Sequence, residues 1–383
     1  MDFAWTPEQQ AYRQRLADIV RRELPADWWE SYAHDGPYPP KFMQFARKFS
    51  RVLAQEKLIV RHWPKDYGGV DADAWDHIII SEEMWSEGEP RSSLYMGANW
   101  AGPAIMKFGT EEQKLQHLRA IAQGEVLWCQ GFSEPEAGSD LASLRTQATR
   151  LADGRYVLNG RKIWTSYAHG ADIMFVLARI DGVGRNGVTC FLVPTATPGL
   201  TRKTIAAMQS AYDFHECTFD NVTLPESARL GDEGAGWEIV RYVLHNERVG
   251  LARYEYAFRA LECAVELLKQ RGMFSSEIVR SQAASCLALI EAARLLAYAV
   301  IDARVRNLPP SAETSLARFA MIRSDQAVGN FVASFLPDAL TEPGVGRLRA
   351  HYKTAITSGI AAGAAEIQLN LIASGHLQLP KDS

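Results

Sequence analysis

Apolar and polar positions alternate in three textures along the chain. From Thr6, "TPEQQAYRQRLADIVRREL" repeats apolar residues at helical spacing; Thr6 is placed to cap, Pro7 suits a first turn, and Gln9 sits where it can reach back to the cap. The same grammar recurs in "GTEEQKLQHLRAIAQG", with Thr110 as cap and Gln113 completing the box. Between them, "PPKFMQFARKFSRVLAQEKL" and "DADAWDHIIISEEMWSEG" keep the helical period, parted by the turn-rich "WPKDYGG". Residues 1–124 are thus expected to form an N-terminal helical domain. In 125–232 the runs shorten. "YVLNGRKIWTS", "ADIMFVLARID" and "GVTCFLVPT" are rich in β-branched and aromatic residues and read as strands separated by Asn-Gly and Asp-Gly turns. From 233 to 383 long helical runs return, broken at "RGMFSSE", "RNLPPSAE" and "LPDALTEPGVG". The expected fold class is α+β: a helical domain, a middle antiparallel β domain of barrel-like form, and a C-terminal four-helix bundle.

One residue breaks the third texture. Val240, Leu244, Glu247, Leu251, Tyr254, Phe258, Leu261, Val265 and Leu268 follow spacings of four and three, the face of one long helix, and Glu247 interrupts an otherwise apolar stripe. A carboxylate there loses hydration, so its pKa rises unless a cation or donors compensate. That suits a general base poised near neutrality, and a structural ion pair fits the same position. Arg248 falls elsewhere on the helix and need not neutralise it.

Two loops also draw notice. "GFSEPEAGSD" follows the strand-like "EVLWCQ" and gathers small residues, backbone N–H groups and the hydroxyls of Ser133 and Ser139, suited to an anion or a heteroaromatic ring or simply to a surface turn. "KIWTS" offers Trp164 for stacking, or as a core tryptophan, with Thr165 and Ser166 as hydrogen-bonding groups. "GVGRNG" matches a dinucleotide fingerprint, but it joins two apolar strands and no helix follows, so a hairpin is expected.

Composition narrows the field. The 383 residues are 47% hydrophobic and 22% charged, the balance of a soluble globular protein. A net charge of −4 gives no electrostatic reason for nucleic acid or an anionic membrane. No secretory pattern opens the sequence, and no uninterrupted apolar stretch reads as long enough for a bilayer. Five scattered cysteines without a CxxC pair point to reduced thiols in the cytoplasm, and nine histidines without HExxH spacing argue against a metal centre.

"WPKDYGG", "FGTEEQK", "GFSEPEAGSDLASL", "LNGRKIWTS", "FDNVTLP", "GDEGAGW", "NERVGLAR", the Arg271…Phe274…Gln282 spacing and "AEIQLNLIA", in that order, make nearly the whole chain resemble the acyl-CoA dehydrogenase family. The resemblance implies FAD as cofactor, with Gln130, Phe132 and Ser133 along the isoalloxazine ring, Gly138 and Ser139 near the pyrophosphate and CoA, and Trp164 and Ser166 against the flavin. Arg271, Phe274 and Gln282 would complete the FAD site of a neighbouring subunit, although Ser275 stands where the family has glycine. Ser139, Asn246, Arg248 and the backbone of Ala362 would meet the substrate. The implied reaction is α,β-dehydrogenation of an acyl-CoA thioester: a carboxylate takes the α-proton and the β-hydrogen leaves as hydride to flavin N5, with electron-transfer flavoprotein as acceptor.

Two departures matter. "GIAAGAAEIQLNLIA" aligns Ala362 with the family's usual acid and Ala364 with its cofactor-facing threonine. Glu366 is then not the chemical group, and the base passes to Glu247, where a minority of the family keeps it. The family's Gln-x-x-Gly-Gly segment is not recognisable, and "FLPDALTEPG" stands near its place. A homotetramer and an α2β2 tetramer with an unlike chain, the latter as in members handling steroid side-chain or other bulky CoA esters, both follow from the resemblance. So do three alternatives: a flavin oxidase, a non-catalytic half-site subunit, and an enzyme for carrier-protein thioesters.

Overall fold

The computed structural model describes the chain except residues 1–4, 36–39, 181–185, 209–211, 213, 248–251, 307, 309–311, 362 and 381–383; at 32–35, 40 and 244–247 it describes the backbone alone. In chain order the helices α1 (Pro7–Glu23), α2 (Trp28–Asp35), α3 (Pro40–Gln55) and α4 (Ala74–Ser86) come first. A short α5 (Leu94–Met96) runs through a π-helical turn, Gly97–Ala101, into α6 (Gly102–Phe108), and α7 (Glu111–Ala122) follows. Eight strands come next: β1 (Trp128–Gly131), β2 (Gln147–Arg150), β3 (Tyr156–Lys162), β4 (Ile173–Arg179), β5 (Val188–Pro194), β6 (Leu200–Ile205), β7 (Phe214–Leu224) and β8 (Arg229–Leu230). The chain closes with α8 (Gly236–Glu247), α9 (Tyr254–Gln270), α10 (Glu277–Val305), α11 (Glu313–Phe335), α12 (Gly346–Thr357) and α13 (Ala365–Gly375).

Both capping boxes form. Gln9 N–H donates to Thr6 Oγ1 at 3.2 Å while Thr6 N–H donates to Gln9 Oε1 at 3.0 Å, and Thr110 and Gln113 repeat the exchange at the same distances. Gln113 does more than cap. Its amide donates to the carbonyls of Ser227 and Arg229 at 2.8 Å each, tying the start of α7 to β8.

The residues fall into two compact units. One comprises 35–71 and 91–247 and holds the sheet, ordered β6-β7-β3-β2-β4-β5-β8 with β1 beside β4. Most neighbours are antiparallel, but β1 and β2 both run parallel to β4, which an all-antiparallel expectation missed. Inward-facing Tyr156, Leu158, Met174, Val176, Phe191, Val193, Cys217 and Phe219 form its core. β4 and β5 pair antiparallel on either side of "GVGRNG", with Arg179 opposite Val188, as expected of a hairpin and not of a nucleotide-binding turn.

The pair Asn159-Gly160 is a correction. It lies inside β3 as a bulge, not at a turn: the register against β7 shifts between Leu158 and Gly160. Gly160 has φ +147°, and a Cβ there would come within 2.7 Å of Thr146 Cα. Gly160→Ala is therefore expected to destabilise this unit by about 1–3 kcal/mol, read as a lower midpoint in chemical denaturation.

The other unit comprises 1–34, 72–90 and 248–383. Here α9 and α11 pack on each other and both pack on α10 and α12, closing a four-helix bundle. Tyr254, Ala257, Leu261, Ala264 and Leu268 of α9 meet Ile290, Ala293, Ala297 and Ile301 of α10 and Met321, Val328 and Val332 of α11 in its core. An 18-residue window of α10 reaches a mean hydropathy of 1.8, enough by length and composition for a bilayer-crossing helix, although Arg280, Glu291, Arg294 and Asp302 interrupt the helix's apolar run. Its buried residues recur at helical spacing and face the bundle, as in a core helix.

A buried polar network stands within the bundle. Asp325, 1% exposed, pairs with Arg253 Nε at 2.9 Å and accepts from the Ser358 hydroxyl at 2.8 Å; His351 Nε2 lies 3.4 Å away. Burial alone would raise the Asp325 carboxyl, yet Arg253, His351 and Ser358 hold it below its ordinary value.

Candidate active site

Glu247 is the last residue of α8, and its side chain, like that of Asn246, is outside the described part. Arg248, Leu251 and Ala362 lie outside the described residues altogether. The expected single long helix is corrected: α8 is described over Gly236–Glu247, Ala252 and Arg253 are in a turn, and α9 starts at Tyr254. Tyr254, Leu261 and Leu268 of the stripe are buried, while Phe258 and Val265 pack half-buried against the same core.

The sheet unit assembles the residues expected around a flavin. β1 brings Gln130 beside Phe175 of β4. Phe132 is buried against Phe175 and Trp100, with ring centroids 5.8 Å and 6.4 Å away. The chain then turns tightly: Glu134 and Ala137 exchange backbone hydrogen bonds of 2.9 and 3.1 Å, and Gly138 and Ser139 stand exposed beyond them. A Cβ at Gly138 would meet nothing within 4 Å, so the backbone there is open to a ligand.

Trp164, Thr165 and Ser166 form a corner beside that turn, for Ile163 N–H donates to Ser133 O at 2.9 Å and Thr165 exchanges two 3.1 Å backbone bonds with His215. Trp164 is no core tryptophan. It is 55% exposed, stands edge-on to Phe214 at 5.7 Å, and has a left-handed backbone, φ +59°; Tyr167 has φ +66°. Two non-glycine residues in that region within four positions store strain of about 1–3 kcal/mol each, a mark of functional corners. The Thr165 hydroxyl is buried near the Cys217 thiol and makes no protein hydrogen bond of normal geometry. An exposed ring, an orphaned buried hydroxyl and an open Gly-Ser backbone fit a flat heteroaromatic cofactor with an anionic tail.

Two residues that sequence reasoning passed over lie underneath. Lys162, wholly buried, donates to Glu134 Oε1 at 2.8 Å and to Phe132 O at 3.0 Å. The signal was present: Tyr156, Leu158, Gly160 and Lys162 share the inward parity of β3, so a lysine falls on a core position.

The bundle unit holds the remaining candidates. Arg271 is spoken for within its own chain, with Nη1 2.6 Å from Asp338 Oδ2 and Nη2 3.1 Å from Glu342 Oε2. Its hydrogen bond holds the Asp338 carboxyl below the usual range. Phe274 is half-buried against the bundle, and Ser275 donates to Gly272 O. Gln282 lines a groove of about 500 Å³ between α10 and α11 with Ser285, Arg323, Gln326 and Asn330. Near the C-terminus, Glu366 is exposed in the first turn of α13, while Arg318 donates to Ala361 O at 3.0 Å and Ala365 N–H to Gly359 O at 2.8 Å.

Comparison with known proteins gives three family matches: the N-terminal domain of acyl-CoA dehydrogenase over residues 6–125, its middle domain over 129–222 and its C-terminal domain over 234–377. "Acyl-CoA dehydrogenase FadE34" of Mycobacterium tuberculosis is 36% identical over 86% of this chain, which spans 46% of that relative's length. An acyl-CoA dehydrogenase of Bacillus subtilis is 32% identical over 84% of this chain and 85% of its own. Two solved structures cover 100% of both chains at 27% identity: the Tcur3481-Tcur3483 steroid ACAD, TM-score 0.92, and the ChsE4-ChsE5 complex from Mycobacterium tuberculosis, TM-score 0.90.

Proposed function

Because this chain belongs to the acyl-CoA dehydrogenase family, we propose that it catalyses FAD-dependent α,β-dehydrogenation of an acyl-CoA thioester to the trans-2-enoyl-CoA, with Glu247 as base. The observation that carries the cofactor reading is the strained Trp164–Ser166 corner beside the open Gly138–Ser139 backbone. Gln130, Ser133, Gly138, Ser139, Trp164 and Ser166 would hold FAD, which when bound supplies the acceptor for the β-hydrogen and its electron pair.

The chain's own residues would do the rest. Glu247 follows the buried Val240 and Val243 on α8, and in this reading its carboxylate would take the substrate's α-proton. A backbone N–H near Ala362 would donate to the thioester oxygen, a role that needs no side chain and therefore survives the alanine. Trp164 would cover one face of the cofactor, excluding water.

The state of Arg271 favours a mixed assembly. Its guanidinium is engaged by Asp338 and Glu342, whose carboxylates would also repel a neighbour's pyrophosphate. This chain would accordingly provide a flavin cradle and a base, while an unlike partner provides the FAD contacts that Arg271 does not. The names of the two matched structures, one a steroid ACAD and one a two-protein complex, agree with a bulky acyl group and such an assembly.

The test is anaerobic bleaching of flavin absorbance across acyl-CoA esters, straight-chain, branched and steroid side-chain, with the chain isolated alone and with co-expressed partner candidates. Bleaching by a CoA ester, strongest for a bulky one in a mixed complex, is the expected result. Failure of every CoA ester to bleach bound flavin would overturn the reaction. A fully flavin-loaded, active homotetramer would overturn the mixed assembly. Slow reoxidation by oxygen, with fast transfer to electron-transfer flavoprotein, separates a dehydrogenase from an oxidase.

A further inference from the structure

Phe132, Ser133 and Glu134 are three successive residues of the turn on one side of the cradle, and Lys162 and Ile163 immediately precede the Trp164 corner on the other. Every one of the three is bonded across. Lys162 Nζ reaches Phe132 O at 3.0 Å and Glu134 Oε1 at 2.8 Å, and Ile163 N–H reaches Ser133 O at 2.9 Å. The Glu134 carboxylate in turn accepts from the backbone N–H groups of Arg145, at 2.6 Å, and Thr146, at 2.8 Å. We propose that the buried Lys162–Glu134 pair is a positioning device, a strut that holds the turn and the Trp164 corner at the spacing FAD requires. The inference rests on the reading of this cradle as a flavin site.

Stability alone does not account for such a pair. Removing two charges from water costs about as much as their attraction returns, and a well-packed apolar pair would serve a core as well or better. What the pair adds is direction, because the ammonium and the carboxylate, bonded to each other, fix three backbone groups, Phe132 O and the N–H groups of Arg145 and Thr146, relative to one another. Burial draws the Lys162 ammonium down to about 8 against the pull of Glu134. On β7, opposite Lys162, Cys217 is pushed up by burial to about 11 and His215 is lowered by burial, so neither gains charge where Lys162 loses it.

The signs separate positioning from mere structure. The lysine is more acidic in the fold than in the unfolded chain, so as pH rises past about 8 the cost of burying its charge is relieved and this group adds to fold stability. Its charge-assisted bonds to the turn weaken over the same interval. Grip on FAD and stability of the apoprotein therefore move in opposite directions.

The experiment measures FAD dissociation by recovery of flavin fluorescence from pH 6.5 to 9.5, alongside thermal denaturation of the apoprotein, in the complex as isolated. Wild type should lose roughly 3- to 10-fold in affinity over that range, with no matching fall in apoprotein stability. Lys162→Met should bind FAD about 10- to 100-fold more weakly at pH 7, with little further change at pH 9.5. Lys162→Arg, charged throughout, should show no alkaline weakening, and Glu134→Gln should weaken binding at pH 7. A pH-independent wild-type affinity, or wild-type affinity in Lys162→Met, overturns the strut. If Lys162→Met fails to fold, the wild-type profile and Lys162→Arg decide it. Wild type that takes up no FAD at any pH overturns the flavin reading itself, a result distinct from a flavin-loaded protein indifferent to these changes.

Discussion

Glu247→Gln is expected to slow acyl-CoA-driven bleaching of bound flavin about 10²- to 10⁴-fold while leaving FAD content unchanged. Glutamine keeps the size of the side chain and its place at the end of α8 but has no basic oxygen for the α-proton. The Trp164 corner and the Gly138–Ser139 backbone are untouched, so the cofactor stays. Single-turnover kinetics in a stopped-flow instrument measure the step directly, and flavin absorbance before substrate addition gives the loading. The paired control is Glu366→Gln, on the exposed first turn of α13, which should be near wild type. A large loss in Glu366→Gln together with a mild one in Glu247→Gln would return the chemistry to the C-terminal segment.

The second large effect is on stability. Asp325→Ala should cost about 3–5 kcal/mol, because it leaves the Arg253 guanidinium, 15% exposed, without its counter-charge inside the bundle. For a unit of this size that is a fall of roughly 10 °C in melting temperature. The acid limb gives a second reading. The Asp325 carboxyl is held below its ordinary value, so its contribution is fully present above the unfolded carboxyl's pKa and is lost as pH falls through the folded one. The gap between wild type and variant should narrow as pH drops into that window and stay constant above it. Denaturant titrations at several pH values measure both.

The parts of the fold that were legible in the sequence rest on local rules. The Thr6–Gln9 and Thr110–Gln113 boxes form as read, since a cap is settled within four residues. The strand texture of the middle segment and the helical texture of the last survive for the same reason. The break marked by the turn at Ala252 and Arg253 was illegible, because the apolar stripe keeps its phase in the sequence from Val240 to Leu268 and periodicity cannot register such an interruption. Asn159-Gly160 misled because that pair favours a tight turn, whereas pairing with β7 on both sides of it imposes a bulge.

Long-range chemistry escaped most. Arg271 stood out by its spacing, but Asp338 and Glu342, which engage it, lie 67 and 71 residues away. Lys162 and Glu134 were inside quoted motifs, yet only the sheet shows that they meet, 28 residues apart, beneath the cradle.

The left-handed backbone at Trp164 has an evolutionary reading as well. Its φ of +59° is held by the bonds on either side, Ile163 to Ser133 and Thr165 to His215, so a bulky side chain there stays strained, where glycine would not and asparagine or aspartate less so. Under the proposed flavin reading, the tryptophan is kept there at that cost because its ring is in use.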